Sequence, residues 1–115
     1  MNSDALRHFG QALMREVRDQ ALTDWKMIRA HEMRGVRAEI CRALIEAGDL
    51  DGLTSEIVDG VLHHMLRLIE TNSDINVLVK GVEIVAQSDG LAGELPTEHG
   101  WIGQWSNFPL SRSRS

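Results

Sequence analysis

Residues 4–32 read DALRHFGQALMREVRDQALTDWKMIRAHE, and the spacing of their apolar side chains decides the fold. Leu6, Phe9, Leu13, Val17, Ala21 and Ile28 recur at intervals of three, four and seven, which a helix of 3.6 residues per turn gathers onto one face. Arg7, Arg15, Arg18, Asp19 and Arg29 fall opposite. No proline interrupts the stretch, Gly10 is its single glycine, and Ser3 or Asp4 supplies a capping oxygen at its start. The pattern predicts one amphipathic helix over residues 4–33. Its apolar stripe is longer than a chain of 115 residues covers by itself, which predicts a two-fold homodimer built on that helix.

Working outward, Gly35 marks a boundary, and Val36, Ile40, Leu44 and Ala47 predict a second helix over 36–47, ended by Gly48. A third helix is predicted over 52–71, where Ile57, Val58, Val61, Leu62, Met65, Leu66, Leu68 and Ile69 cover more than half the circumference and predict a mostly buried helix. Glu56, Asp59, His63, Arg67 and Glu70 share its remaining narrow face. Beyond Asn72 the pattern changes: INVLV and VEIVA are short, β-branched and separated by Lys80-Gly81, which predicts strands at 75–79 and 82–86 joined by a loop of two or four residues. A third strand is predicted at 101–105, from Trp101, Gly103 and Trp105 on one face. The expectation is an α+β domain over 1–110: a three-helix antiparallel bundle with a small antiparallel sheet and a Gly/Trp-rich C-terminal segment. Residues 111–115, SRSRS, read as a disordered tail.

Composition narrows the function classes. Apolar content of 43% with 25% charge is that of a globular chain. The single Cys41 forms no internal disulfide, the N-terminus lacks an apolar signal core, and no apolar run approaches 18 residues, so the expected compartment is the cytoplasm, with no membrane span. The net charge of −5 is unevenly spread: residues 1–48 carry eight Lys/Arg and seven Asp/Glu, residues 49–110 two and ten. An acidic half repels phosphate, so no nucleic-acid role is expected; a basic protein partner suits it better.

Near-motifs fail on single residues. His31-Glu32 begins like a zinc-protease helix, but Gly35 stands where the second histidine belongs. Asp49, Asp51 and Gly52 imitate a calcium loop whose first and twelfth positions are Ala47 and Val58. Gly90 and Gly93 precede no Gly-Lys-Ser/Thr. No metal or other cofactor is expected. Asp59 and His63 are one helical turn apart and read either as a carboxylate-oriented base or as a solvated ion-pair face. His31 reads as a buried imidazole or as a helix-end residue, and Cys41 as a buried thiol.

The densest concentration of unusual residues is SDGLAGELPTEHGWIGQWSNF (88–108), where four glycines and two of the three tryptophans meet acidic side chains. Asp89, Glu94, Glu98, His99, Trp101 and Trp105 are the candidate binding residues, acids and aromatics being the chemistry that receives a basic surface. The competing expectation is a small hydrolase or metal-dependent enzyme using His63 or His99 with nearby carboxylates.

MREVRDQA (14–21), VDGVLHHML (58–66), SDGLAGEL (88–95) and EHGWI (98–102) together resemble a family of small bacterial proteins of unknown function, over residues 10–106. The resemblance implies a bacterial cytoplasmic protein and carries over no catalytic residue. By size and charge alone, such proteins compare with antitoxins and immunity proteins that mask basic toxins. A non-enzymatic interaction module is therefore the leading expectation.

Overall fold

The long apolar stripe folds as a continuous helix in three pieces: α1 (Ser3–Ala12), a π-helical stretch (Leu13–Arg18) and α2 (Asp19–Arg29). This is a computed structural model, and it describes residues 3–96 and 99–108. In the wide turn the Asp19 amide reaches back to the Met14 carbonyl, five residues away instead of four. Val17 and Ile28 are buried, whereas Leu6, Met14 and Leu22 stay in water. The helix ends at Arg29, short of the predicted residue 33. His31 at φ +60° and Gly35 at φ +113° reverse the chain, and the Glu32 and Met33 amides return to the Met27 carbonyl. His31 is thus the exposed residue that closes the helix, not a buried imidazole.

Helix α3 (Val36–Ala47) keeps its predicted bounds and is closed by Gly48 at φ +68°. Asp49 then starts α4 (Leu50–Thr71), its Oδ1 accepting the Gly52 amide at 2.9 Å. This cap sets the helix start two residues before the predicted 52. A Cβ at position 52 would lie 2.7 Å from the Asp49 carboxylate, so glycine is what the cap requires.

One core cluster joins Ile28, Ala38 and Cys41, with Trp25, Met33 and Leu53 packed around it. Helices α2 and α3 and the π-helical stretch all contact α4. The expectation of a mostly buried α4 holds only for its C-terminal part, where Leu68 and Ile69 are sealed. Over its first three turns the pattern is inverted: Gly52, Glu56 and Gly60 face the protein, while Ile57, Val58, Val61 and Leu62 face water. The two glycines and the Arg37 partner of Glu56 explain the inversion, because they let α3 and α2 approach α4 on its polar side.

The fold is mostly helical with one small antiparallel sheet, an α+β composition. Strands β1 (Leu78–Val79) and β2 (Val82–Glu83) pair in the register Leu78↔Glu83 and Val79↔Val82. Lys80 and Gly81 make a two-residue turn, both at positive φ. The ladder is far shorter than predicted: the Ile75 amide closes a turn onto Asn72, and Val85–Gln87 winds into a 3-10 turn. Both strands are exposed, so no packed face extends them.

The predicted strand at 101–105 is corrected outright. Trp101–Trp105 is one helical turn, α5, with the Gln104 amide donating to the Gly100 carbonyl at 2.9 Å. Its buried residue is Ile102, out of phase with Trp101, Gly103 and Trp105. A helical turn sets Ile102 and Trp101 together against Leu95 and Leu66, which a strand of that phase does not. Glu98 and the predicted tail 111–115 lie outside the described residues.

Candidate functional site

The C-terminal segment is fastened to α4 by a carboxylate. Glu70 Oε1 accepts the Ala92 amide at 2.6 Å, and its Oε2 takes Arg67 Nη1 at 3.1 Å. This clamp holds the 3-10 turn Leu91–Glu94, whose Leu91 and Ala92 are buried. Glu94 works inside the same turn, accepting the Ser88 hydroxyl at 2.8 Å while Ser88 Oγ accepts the Gly90 amide. Leu95 and Ile102 then seat α5, the Ile102 amide donating to the Leu95 carbonyl.

Between α4 and α5 this leaves a cleft of about 630 Å³. Val58 and Leu62 form one apolar wall, and Leu95, Trp101, Ile102 and Phe108 the other. Its charged liners are Asp51 and Asp59, and no Lys, Arg or His among the described residues lines it. Phe108 at 77% exposure stands at the mouth with its ring in water. Apolar walls with two carboxylates among them suit a ligand that is greasy on one side and cationic on the other.

A second cavity of about 420 Å³ opens where α2, α3 and α4 meet the 91–96 segment. Here His64 Nε2 donates to Asp24 Oδ2 at 2.7 Å, and both side chains are largely covered. The His63 ring stands edge-on to His64 with centroids 5.4 Å apart. Partial burial pushes the His63 pKa below the ordinary imidazole value, and the charges of His64, Arg37 and Arg67 add to the effect against a smaller opposing pull from Glu70. Beside them Arg37 Nη2 donates to the Glu56 carbonyl at 3.0 Å, with Nε 3.8 Å from the fully buried Glu56 carboxylate. Among the described residues no three His, Cys, Asp or Glu side chains gather as metal ligands do.

Of the candidate residues taken from the sequence, Trp101 is half-buried and lines the cleft. Among the described residues Asp89, Glu94, His99 and Trp105 stand outside it. Asp89 and His99 are exposed, the His99 carbonyl accepting the Gln104 amide group. Trp105 is 71% exposed. His63 and Asp59 both line the second cavity. Sequence reasoning passed over Asp24, because its partner lies forty residues away. It also placed Glu56 on the narrow polar face of α4 without marking it as buried; the neighbouring Gly52 and Gly60, each a turn away on the same side of α4, were the available sign that this side is approached closely.

No protein-family model, curated protein or solved structure matches the chain.

Proposed function

We propose that this chain is a non-enzymatic interaction module whose α4/α5 cleft receives a basic, amphipathic segment of a partner protein. The observation that carries this reading is the cleft itself: apolar walls from Val58, Leu62, Trp101 and Phe108, with Asp51 and Asp59 as its charged residues. A helical segment with leucines on one face and lysines or arginines beside them would place apolar side chains between Leu62 and Trp101 and cations near the two aspartates. The excess of acidic over basic residues in 49–110 steers such a partner toward this side. In this reading α1–α2, α3 and α4 serve as a three-helix antiparallel scaffold. The protein acts in the cytoplasm and masks a basic partner, in the manner of an antitoxin or immunity protein.

The test is a fluorescence titration of Trp101 with a synthetic Leu/Lys amphipathic helical peptide and its Leu/Glu counterpart. The Lys peptide is expected to saturate the signal and to weaken with salt. Asp51→Lys combined with Asp59→Lys is expected to abolish the response. Equal binding of the Glu peptide, or unaltered binding to the double variant, refutes the reading.

A second reading is favoured by the Asp24–His64 contact, a carboxylate-oriented imidazole beside the second cavity with His63 next to it. It makes that cavity a site for general-base chemistry on water, since no Ser, Thr or Cys among the described residues lines it as a nucleophile. Hydrolysis of an activated ester that disappears in His64→Ala but persists in Trp101→Ala would favour it over the first.

A further inference from the structure

The inverted face of α4 does not end at that helix. Ile57 and Val61 continue onto Met14, Val17, Leu22 and Trp25 of the long helix, forming one shallow groove of about 240 Å³ whose single charged liner among the described residues is Arg18. We propose that a second copy of this chain covers this groove, with the long helix and α4 of each protomer facing those of the other across a two-fold axis. The inference is independent of the cleft described above, with which this groove shares no lining residue.

Four observations select a second copy as the occupant. The first is area: the groove residues Met14, Leu22, Ile57 and Val61 are each 37–46% exposed. They leave on the order of 300 Å² of apolar surface in water per protomer, within the size range of the largest patches that monomers carry. Two such faces approach the roughly 1,000 Å² at which specific interfaces begin, once the polar side chains at the edge are included.

The second is thickness. The molecule measures 49 × 31 × 21 Å, and its shortest dimension is about two helix diameters, so an outward helix face has no further layer over it. Its radius of gyration of 15.9 Å exceeds the about 13 Å of a compact chain this long. The third is charge: no carboxylate among the described residues lines the groove, and residues 1–48 are nearly neutral at eight cations against seven anions. Two copies therefore meet through a surface without carboxylates, whereas a basic partner would find no counter-charge here. The fourth is shape. A pair of packed helices with an outward apolar seam is self-complementary under two-fold rotation and closes into a four-helix arrangement.

The experiment is molar mass by light scattering and sedimentation equilibrium on the full chain from low micromolar to near-millimolar concentration. A two-chain mass is expected, falling to one chain for Leu22→Glu and for Val61→Glu with helical circular dichroism retained, and unchanged for Trp105→Ser. A one-chain mass at every concentration overturns the proposal, as does a two-chain mass insensitive to both substitutions. Because a variant can lose its fold, the unaltered chain gives a second readout. Hydroxyl-radical footprinting is expected to find Met14 protected in concentrated solution and labelled several-fold faster on dilution; equal labelling overturns the interface. Neither readout involves the peptide cleft, so the two readings fail separately.

Discussion

Asp24 and His64 meet 2.7 Å apart between α2 and α4, each side chain 17% exposed. The contact ties the middle of α2, near the C-terminal end of the long helix, to α4 beside the core at Ile28. Asp24→Asn keeps the shape and removes the charge that strengthens the hydrogen bond. It is expected to lower the unfolding free energy by about 1–2 kcal/mol, read from urea titration with an unchanged m-value.

His63 makes stability depend on pH in a fixed direction. Its folded-state pKa is depressed, by partial burial first and then by the charge of His64 and two arginines. The unfolded imidazole takes up its proton near pH 6.5. As pH falls through that value the unfolded chain gains a proton that the folded chain accepts only at lower pH, so stability drops until both states are protonated. Above pH 6.5 both are neutral and His63 contributes no slope. Denaturation midpoints at about pH 7.5 and about pH 5.5 are expected to differ less in His63→Gln than in the parent chain; an equal or larger difference refutes the assignment.

Lys80 occupies the left-handed region at φ +54°, followed by Gly81 at +77°. A two-residue turn with both φ positive favours asparagine over lysine at its first position. Lys80→Asn is expected to stabilise the hairpin by about 0.5 kcal/mol, seen as slower exchange of the amides that bridge β1 and β2. Lys80→Val, β-branched at the same φ, is expected to do the reverse.

The helices were legible because their apolar spacing and terminal glycines act locally: Gly48 ends α3 where the stripe ends. The faces of α4 were not. Counting apolar residues assigns Ile57, Val58, Val61 and Leu62 to a core, but Gly52 and Gly60 let neighbouring elements approach the other side, and Arg37 balances the carboxylate that is buried there. Such an arrangement depends on a residue nineteen positions away, which no periodicity encodes. The segment 101–105 misled for a related reason, since alternation of Trp and Gly over five residues fits a strand as well as a single helical turn. Of the site, the acidic and aromatic chemistry was readable and Trp101 lines the cleft, but the carboxylates that join it there, Asp51 and Asp59, come from α4.

The buried carboxylate on α4 can be probed through a glycine. Arg37 crosses directly over Gly60, where an added Cβ would collide with Nη2, and from there it reaches the Glu56 carbonyl and carboxylate. Arg37→Ala leaves a fully buried carboxylate without its guanidinium and is expected to cost about 2–4 kcal/mol, below the full penalty of a sealed pair because Arg37 is one-third exposed. Gly60→Ala is expected to destabilise as well, although alanine is the better helix former by about 1 kcal/mol, because the methyl displaces the guanidinium. The cycle separates this from simple crowding. In the Arg37→Ala background the methyl meets no guanidinium, so Gly60→Ala is expected to turn neutral or stabilising by up to about 1 kcal/mol. If it costs as much there as in the parent chain, the glycine serves backbone approach and not the arginine.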